Sequence, residues 1–288
     1  MTAINTTILK LIALPVMKII FFVLVSLAFA SSKIFAQASS ENRIDSNFHL
    51  YILMGQSNMA GRGEITEKYR NESHPRVFML DKNNNWVPAH HPLHFDKPIA
   101  GVGPGLSFAI RMANQNPGIK VGLIPCAVGG SSINSWQPGG YDSATKTHPY
   151  DDAMLRIKLA MKSGVIKGML WHQGESDSQP EAANEYIPKL QVLIQRIRSI
   201  CDDHQLPVVA GELGRYKQQY QNINTQLHRL PSIVTFTAVA SSEDLTDKGD
   251  STHFDSSSAE KLGERFAEKI ILLQKSFPFN KKHRKRKS

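Results

Sequence analysis

The chain has 288 residues, of which 41% are hydrophobic, so it is long enough to bury one sizeable α/β core. Only Cys126 and Cys201 are present, a density too low for a disulfide scaffold. Whether these two cysteines pair in an oxidising compartment stays open. The formal net charge of +9 is typical of nucleic-acid-binding proteins, but its location argues against such a partner.

The positive charge is confined to the two ends of the chain. Residues 1–36 contain three lysines and no acid, and residues 281–287 contain six Lys and Arg. These nine residues account for the whole net charge, so residues 37–280 are neutral overall. We therefore expect no nucleic-acid partner. Residues 277–288 are predicted to be a solvated basic tail, with adhesion to anionic glycans or lipid surfaces left open.

The N-terminus has the pattern of an export signal. Lys10 and Lys18 precede an apolar run of 12 residues, 19–30, which is followed by small residues. The run is shorter than the roughly 20 residues that a spanning helix needs. We therefore predict a signal peptide over residues 1–36, cut after Ala30 or Ala36. The mature protein would be secreted or periplasmic, with no stable membrane insertion.

After this segment, apolar runs bounded by turn residues alternate with amphipathic segments. The apolar runs are predicted strands at 49–54, 76–80, 120–125, 166–171, 207–210 and 233–240. The predicted helices are 106–115, 151–162, 181–202, 218–229 and 257–275. Alternating strands and helices favour an α/β fold with a mostly parallel sheet covered on both faces. Residues 37–276 are predicted to form this single catalytic domain.

Ser57 directly follows the first predicted strand, within the sequence GQSN. A serine at a strand end projects from the sheet edge, where ligands of open α/β sheets bind. The G-x-S-x-G elbow of α/β-hydrolases is absent because Asn58 and Met59 follow the serine. If Ser57 is a nucleophile, it lies on another scaffold and needs a base and an oxyanion site.

The sequence DSTH supplies a candidate base immediately before the last predicted helix. Asp250 lies three residues before His253, so its carboxylate can accept a hydrogen bond from Nδ1–H. This bond would leave Nε2 facing a serine, as a Ser-His-Asp triad requires. A lone D-x-x-H is common in loops, so its meaning depends on the other motifs.

Two further motifs supply candidate oxyanion donors. WHQGESD follows the fourth predicted strand, where the Gln173 side-chain amide would donate beside the backbone N–H of Ser57. GVGPG offers a glycine N–H from Gly103 or Gly105, and it also fits a tight turn into the following helix.

In this order, GQSN, GPG, HQGE and DxxH resemble the SGNH-hydrolase superfamily. The similarity is greatest to its sialate O-acetylesterase-like branch, which includes carbohydrate acetylesterases acting on acetylated xylan. It spans nearly all of the mature chain. The resemblance implies a flavodoxin-like three-layer α/β/α sandwich. It also implies Ser57 as nucleophile, His253 as base, Asp250 as its orienting acid and Gln173 as oxyanion donor. Glu175 of HQGE competes with Asp250 for the role of acid.

Other polar and aromatic residues near these motifs are candidates for substrate binding. They are Gln56, Asn58, Arg62 and Trp136. Ser131 and Ser132 also follow a strand and are weaker candidates for the nucleophile. His90, His91 and His94 invite a metal interpretation, which the loop-like, proline-rich surroundings disfavour.

The resulting hypothesis is a secreted serine esterase that removes O-acetyl groups from an acetylated carbohydrate through an acetyl-Ser57 intermediate. This chemistry needs no cofactor and no metal ion. Xylan is favoured over sialic acid as substrate because the chain has no room for the inserted region of longer sialate-type relatives. Sialate O-acetylesterase, another acyl esterase and a non-catalytic glycan-binding module remain as alternatives. The sequence does not indicate an oligomeric state.

Overall fold

The computed structural model describes residues 44–276. The predicted signal peptide and basic tail therefore lie outside the described residues. None of the helices between residues 44 and 276 combines the length and the apolar character required to cross a bilayer. Cys126 and Cys201 do not pair with each other, and burial raises the pKa of their thiols to about 11 and about 12 respectively.

A seven-stranded sheet forms the centre of the fold, in the order β3-β2-β4-β1-β5-β6-β7. All neighbouring strands are parallel except β3, which runs antiparallel to β2 at one edge. The strands are β1 (Phe48–Gly55), β2 (Val77–Leu80), β3 (Trp86–Pro88), β4 (Lys120–Pro125), β5 (Val165–His172), β6 (Val208–Gly211) and β7 (Thr237–Ala240).

Helices cover both faces of this sheet. They are α1 (Ser57–Ala60), α2 (Glu67–Arg70), α3 (Gly105–Gln115), α4 (Pro149–Ala160), α5 (Pro180–Asn184), α6 (Tyr186–Ile200), α7 (Tyr220–Ile233) and α8 (Ser256–Ser276). Helices α3 and α8 contribute to the hydrophobic cluster on one face, and α4, α6 and α7 contribute to the cluster on the other. The molecule is therefore a three-layer α/β/α sandwich, which confirms the predicted fold class.

The central strand β1 shows why the sequence favours this arrangement. Its side chains alternate between the two clusters, with Leu50 and Ile52 in one and Tyr51 and Leu53 in the other. All four are fully buried, as expected for a parallel strand between two helical layers. Because β1 is enclosed on every side, its carboxyl end is a rigid platform for the residues that follow.

The structure contains all six predicted strands, adds the short helices α1 and α2, and differs from the prediction in three further details. The antiparallel strand β3 was not predicted, because Trp86–Pro88 is short and carries a proline. The predicted helix 181–202 is divided into α5 and α6 at Glu185. The predicted strand 233–240 begins only at Thr237, because α7 extends to Ile233 and Phe236 has a φ of 57°.

The close packing of α8 against α3 positions the GPG turn. A Cβ atom on Gly263 of α8 would lie 2.2 Å from the Pro104 carbonyl oxygen and 2.0 Å from the Ser107 Oγ. A glycine is therefore required at this crossing. The same helix follows directly on the loop that carries His253, so this contact holds two of the sequence motifs on one framework.

Candidate active site

Ser57 begins α1 directly beyond the carboxyl end of β1. Gly55 ends the strand with a φ of 131°, and a Cβ atom there would lie 2.0 Å from the His172 carbonyl oxygen. The Gln56 N–H donates to that same carbonyl over 2.8 Å. The end of β1 is thus fixed to the end of β5, and Ser57 is presented at the edge of the sheet.

The structure brings Ser57, His253 and Asp250 into one hydrogen-bonded series. His253 Nε2 lies 3.0 Å from Ser57 Oγ, and His253 Nδ1 lies 2.7 Å from Asp250 Oδ2. The second contact favours the tautomer with the proton on Nδ1, which leaves the Nε2 lone pair for the serine proton. These distances satisfy the geometry that a nucleophile and its general base require.

Asp250 is held in the ionised form by the loop that it closes. Burial alone would raise the pKa of Asp250, but hydrogen bonds from the His253 backbone N–H, the His253 ring and the Thr252 N–H lower it to about 2. The two backbone bonds are 2.8 and 2.9 Å long and both end on Oδ1. The Asp250 carboxylate therefore both orients the His253 imidazole and fixes the turn formed by residues 250–253.

Glu175, the competing acid, does not contact His253 in the described part of the chain. Its Oε1 accepts a 2.5 Å hydrogen bond from Asn58 Nδ2 and lies 3.9 Å from His172 Nδ1. His172 is fully buried and donates from Nε2 to the Glu212 carbonyl over 2.9 Å, and burial lowers the pKa of its ring. Glu175 is thus a buried acid behind Asn58, whereas Asp250 lies directly on the base.

The side chain of Gln173 is placed differently from the expectation. It is fully buried, and its Nε2 lies 3.1 Å from both Gln56 Oε1 and the Ser131 carbonyl and 2.5 Å from Asp177 Oδ2. These three acceptors exceed the two protons that the amide carries, so none is free for an oxyanion. In this arrangement Gln173 joins neighbouring loops instead of facing Ser57.

Backbone donors remain available beside the serine. Among residues 44–276, no acceptor takes the N–H of Ser57, Gly103 or Gly105. A Cβ atom on Gly103 would lie 2.9 Å from the Cα of Gly61, so Gly103 packs on the turn that ends α1. Gly105 instead lies over the core, where its Cβ would meet methyl groups of Leu53 and Leu93.

The predicted substrate-binding side chains are all at least nine-tenths buried. Asn58 bonds to Glu175 and to the backbone around His253, and Gln56 Oε1 accepts from Gln173. Trp136 is 2% exposed and donates to Ser131 Oγ over 3.0 Å, with its ring edge-on to Trp171 in the core. These contacts are with the protein itself and support the loops around Ser57.

Arg62 forms a buried ion pair instead of projecting toward a substrate. Its Nη2 lies 2.7 Å from Asp96 Oδ2, and the two side chains are 3% and 2% exposed. Arg62 also donates to the Gly61 carbonyl, and the same Asp96 oxygen accepts from the Gly129 N–H. The pair therefore connects the turn after α1 to the loop after β4.

Neither rival nucleophile has a histidine as its hydrogen-bond acceptor in the described part of the chain. Ser131 Oγ donates to the Val128 carbonyl, and Ser132 Oγ donates to Asp177 Oδ1 over 2.5 Å. Of the three loop histidines, His91 pairs with Glu72, and His94 is buried with a pKa lowered to about 4 by desolvation. Within the described residues, no group of three or more His, Cys, Asp and Glu side chains has the arrangement of a metal site.

Sequence reasoning missed two acids that organise this site, Asp96 and Asp177. Both have buried carboxylates that accept backbone N–H groups of the loop 128–135. Asp177 lies two residues after Glu175, so its nearness to HQGE was a signal that it belonged to the site. Asp96 follows three loop histidines, and nothing in the local sequence marks its pairing with Arg62.

Fold and site together define a hydrolase of the α/β/α type whose serine, histidine and acid lie at the carboxyl edge of the sheet. Comparison with known proteins agrees. Residues 47–272 match the sequence model of the family described as carbohydrate esterase, sialic acid-specific acetylesterase. The probable carbohydrate esterase At4g34215 of Arabidopsis thaliana is 31% identical over 245 residues, which cover 77% of this chain and 90% of the relative.

Solved structures show the same fold. The X-ray structure of Arabidopsis thaliana AT4G34215 has a TM-score of 0.70 and 27% identity, and the match covers 79% of this chain and 99% of that one. The crystal structure of NanS has a TM-score of 0.64 at 17% identity, covering 82% of this chain and 100% of that one. The chain therefore belongs to the carbohydrate esterase, sialic acid-specific acetylesterase family, and it is an ester-bond hydrolase.

The ion pair of Arg62 and Asp96 allows a test of its structural role. We expect Asp96→Asn to lower the free energy of unfolding by about 3 kcal/mol or more, because it leaves a buried guanidinium without its counter-charge. Chemical denaturation measures this loss. The matched control is Asp45→Asn in the Asp45–Lys120 pair, which is also 2.7 Å long but is 40% and 48% exposed. It should cost less than about 1 kcal/mol. Equal losses would show that Arg62 is not held by Asp96.

Proposed function

We propose that this carbohydrate esterase removes O-acetyl groups from acetylated xylan or a similar glycan through an acetyl-Ser57 intermediate. The observation that carries the mechanism is the series Ser57 Oγ, His253 Nε2, His253 Nδ1 and Asp250 Oδ2, with contacts of 3.0 and 2.7 Å. Its support comes from the geometry of these side chains and from the carbohydrate esterase family to which the chain belongs.

In the first half-reaction, Ser57 Oγ attacks the acetyl carbonyl carbon while His253 Nε2 takes the hydroxyl proton. Asp250 remains ionised and stabilises the imidazolium. The tetrahedral oxyanion is proposed to accept hydrogen bonds from the free N–H groups of Ser57, at the start of α1, and Gly103, which packs against the end of α1. Collapse of the intermediate breaks the bond to the sugar oxygen, and that oxygen receives the proton from Nε2.

In the second half-reaction, a water molecule gives a proton to His253 Nε2 and attacks the acetyl-Ser57 carbonyl. The same backbone donors hold the second oxyanion. Its collapse releases acetic acid and returns the proton from Nε2 to Ser57 Oγ. Every proton in this mechanism moves through His253 Nε2, so both half-reactions depend on the orientation of this ring.

The family description makes sialate O-acetyl esters the second candidate substrate. Xylan is the first candidate because the four motifs resemble those of carbohydrate acetylesterases that act on acetylated xylan. The family model covers residues 47–272, so the size of the domain does not distinguish the two candidates.

Removal of the triad side chains tests the mechanism. Ser57→Ala and His253→Ala should each lower kcat on p-nitrophenyl acetate by at least about 1,000-fold, since each removes a group that bonds or moves a proton. Asp250→Asn should cost about 10,000-fold through the wrong tautomer, and Glu175→Gln less than about tenfold. Ser132→Ala is the control for a nearby hydroxyl that bonds to a carboxylate and not to a histidine. Undiminished turnover in folded Ser57→Ala protein would refute the mechanism.

Acetate release from acetylated xylan, acetylated pectin and O-acetylated sialic acid tests the substrate. We expect the highest kcat/KM on xylan. The same panel should include p-nitrophenyl acetate and octanoate, because a small acyl pocket rejects the longer chain. Highest activity on sialic acid would transfer the assignment to the second candidate, and undiminished activity on octanoate would favour a lipid esterase.

The N-terminal pattern supports export of the enzyme to the secreted or periplasmic compartment, where such glycans are encountered. We expect the mature protein to begin after Ala30 or Ala36. N-terminal sequencing of the protein from the cell envelope or medium measures this boundary, and recovery of the intact N-terminus from the cytoplasm alone would contradict export.

A further inference from the structure

The side chain next to the nucleophile holds the backbone on both sides of the base. Asn58 Nδ2 donates to the Thr252 carbonyl over 3.0 Å, and Asn58 Oδ1 accepts from the Phe254 N–H over 3.0 Å. These two peptide groups flank His253. The amide orientation is determined by the contacts, because the Phe254 N–H requires an oxygen and the Thr252 carbonyl requires a donor.

Glu175 completes this arrangement from the other side. Its Oε1 accepts the second Nδ2 proton of Asn58 over 2.5 Å, and its side chain is 5% exposed. Asn58 itself is 3% exposed, so both groups are shielded from water. All three hydrogen bonds of the Asn58 amide are therefore directed within the protein, and Asn58 connects Glu175 to the histidine loop by hydrogen bonds.

We propose that Asn58 is a positioning residue that sets His253 against Ser57, and that Glu175 acts by holding the Asn58 amide and not as the acid of the triad. Ser57 and His253 are 196 positions apart in the sequence. The two hydrogen bonds from the Asn58 amide to Thr252 and Phe254, here called the Asn58 clamp, begin one residue after the nucleophile. They fix the histidine loop relative to Ser57 directly, so the separation of Ser57 and His253 in the sequence no longer decides their relative position. Misplacement by about 1 Å can cost 100-fold in rate, so such a clamp has a direct kinetic effect.

The proposal rests on the proposed function for its kinetic part, and its test therefore includes a readout that needs no turnover. The proton shared by His253 Nδ1 and Asp250 gives a downfield NMR resonance only while the ring stays on the carboxylate. Loss of this resonance reports separation of the His253 ring from Asp250 even in a protein without esterase activity.

The decisive variants exchange donor and acceptor between the two side chains. Asn58→Asp keeps the shape and the acceptor for Phe254, but it places a carboxylate oxygen against Glu175 and the Thr252 carbonyl. We expect kcat on p-nitrophenyl acetate to fall about 100-fold, KM to change less than about threefold, and the resonance to be lost. Glu175→Gln retains an acceptor for Asn58 and should keep both the resonance and kcat within about tenfold of the wild type.

The double variant Asn58→Asp/Glu175→Gln restores one bond, because the glutamine amide donates to the new aspartate. We expect it to recover kcat about tenfold over Asn58→Asp alone, a coupling that independent residues do not show. The matched control is Asn224→Ala. Asn224 is also 3% exposed, and it clamps the N–H and carbonyl of Leu213 instead of the histidine loop. It should lower stability while leaving kcat and the resonance unchanged.

Three outcomes would overturn the proposal. One is an Asn58→Asp protein with wild-type kcat and resonance, and another is a double variant no better than Asn58→Asp. The third is loss of the resonance in Glu175→Gln as complete as in Asp250→Asn, which would make Glu175 the acid. If Asn58→Asp fails to fold, Asn58→Ala gives the same comparison with Asn224→Ala. Retention of activity in Ser57→Ala would refute the proposed function, but the comparison of resonances would still test the clamp.

Discussion

The hydrogen bond from the Gln56 N–H to the His172 carbonyl, 2.8 Å long, is the contact on which the rest of the site depends. It joins the carboxyl ends of two adjacent buried strands where Gly55 leaves no room for a side chain. One strand end carries the nucleophile, and the other leads into Glu175. Once these ends are joined, Asn58 lies against Glu175, and the histidine loop has a fixed surface on which to dock. The backbone contact at the sheet edge thus positions Asn58 and Glu175, and these two side chains in turn position the loop that carries His253.

The general architecture could be predicted because it depends on patterns that are local in sequence. Buried strands of a parallel sheet have near-continuous apolar runs, and the six runs in this chain all form strands. Asp250 and His253 are three residues apart, so a turn was enough to predict their hydrogen bond. The break at Glu185 and the edge strand β3 escaped prediction because neither changes the hydrophobic pattern strongly.

The partners of Gln173, Arg62 and Trp136 depend on tertiary contacts that no local pattern reveals. Each has the chemistry of a ligand-binding side chain, and each is used instead to connect loops. Arg62 pairs with Asp96, which is 34 positions later in the sequence. Gln173 donates to Gln56, which is 117 positions earlier. A polar residue in a motif can therefore either bind a ligand or connect loops, and only its burial in the folded chain distinguishes these two roles. Under the role proposed for Asn58, a residue that connects loops still affects catalysis, because it supports His253 from within the protein.

The separation of Ser57 from His253 by 196 positions also affects when during synthesis the enzyme can act. The nucleophile, its strand and its turn are made early, but the base and the helix α8 that packs on the GPG turn come last. A nascent or truncated chain that ends before this helix has a serine without a proton acceptor. Under the proposed mechanism, esterase activity therefore reports a completed fold, because a chain that ends before α8 lacks the base for Ser57.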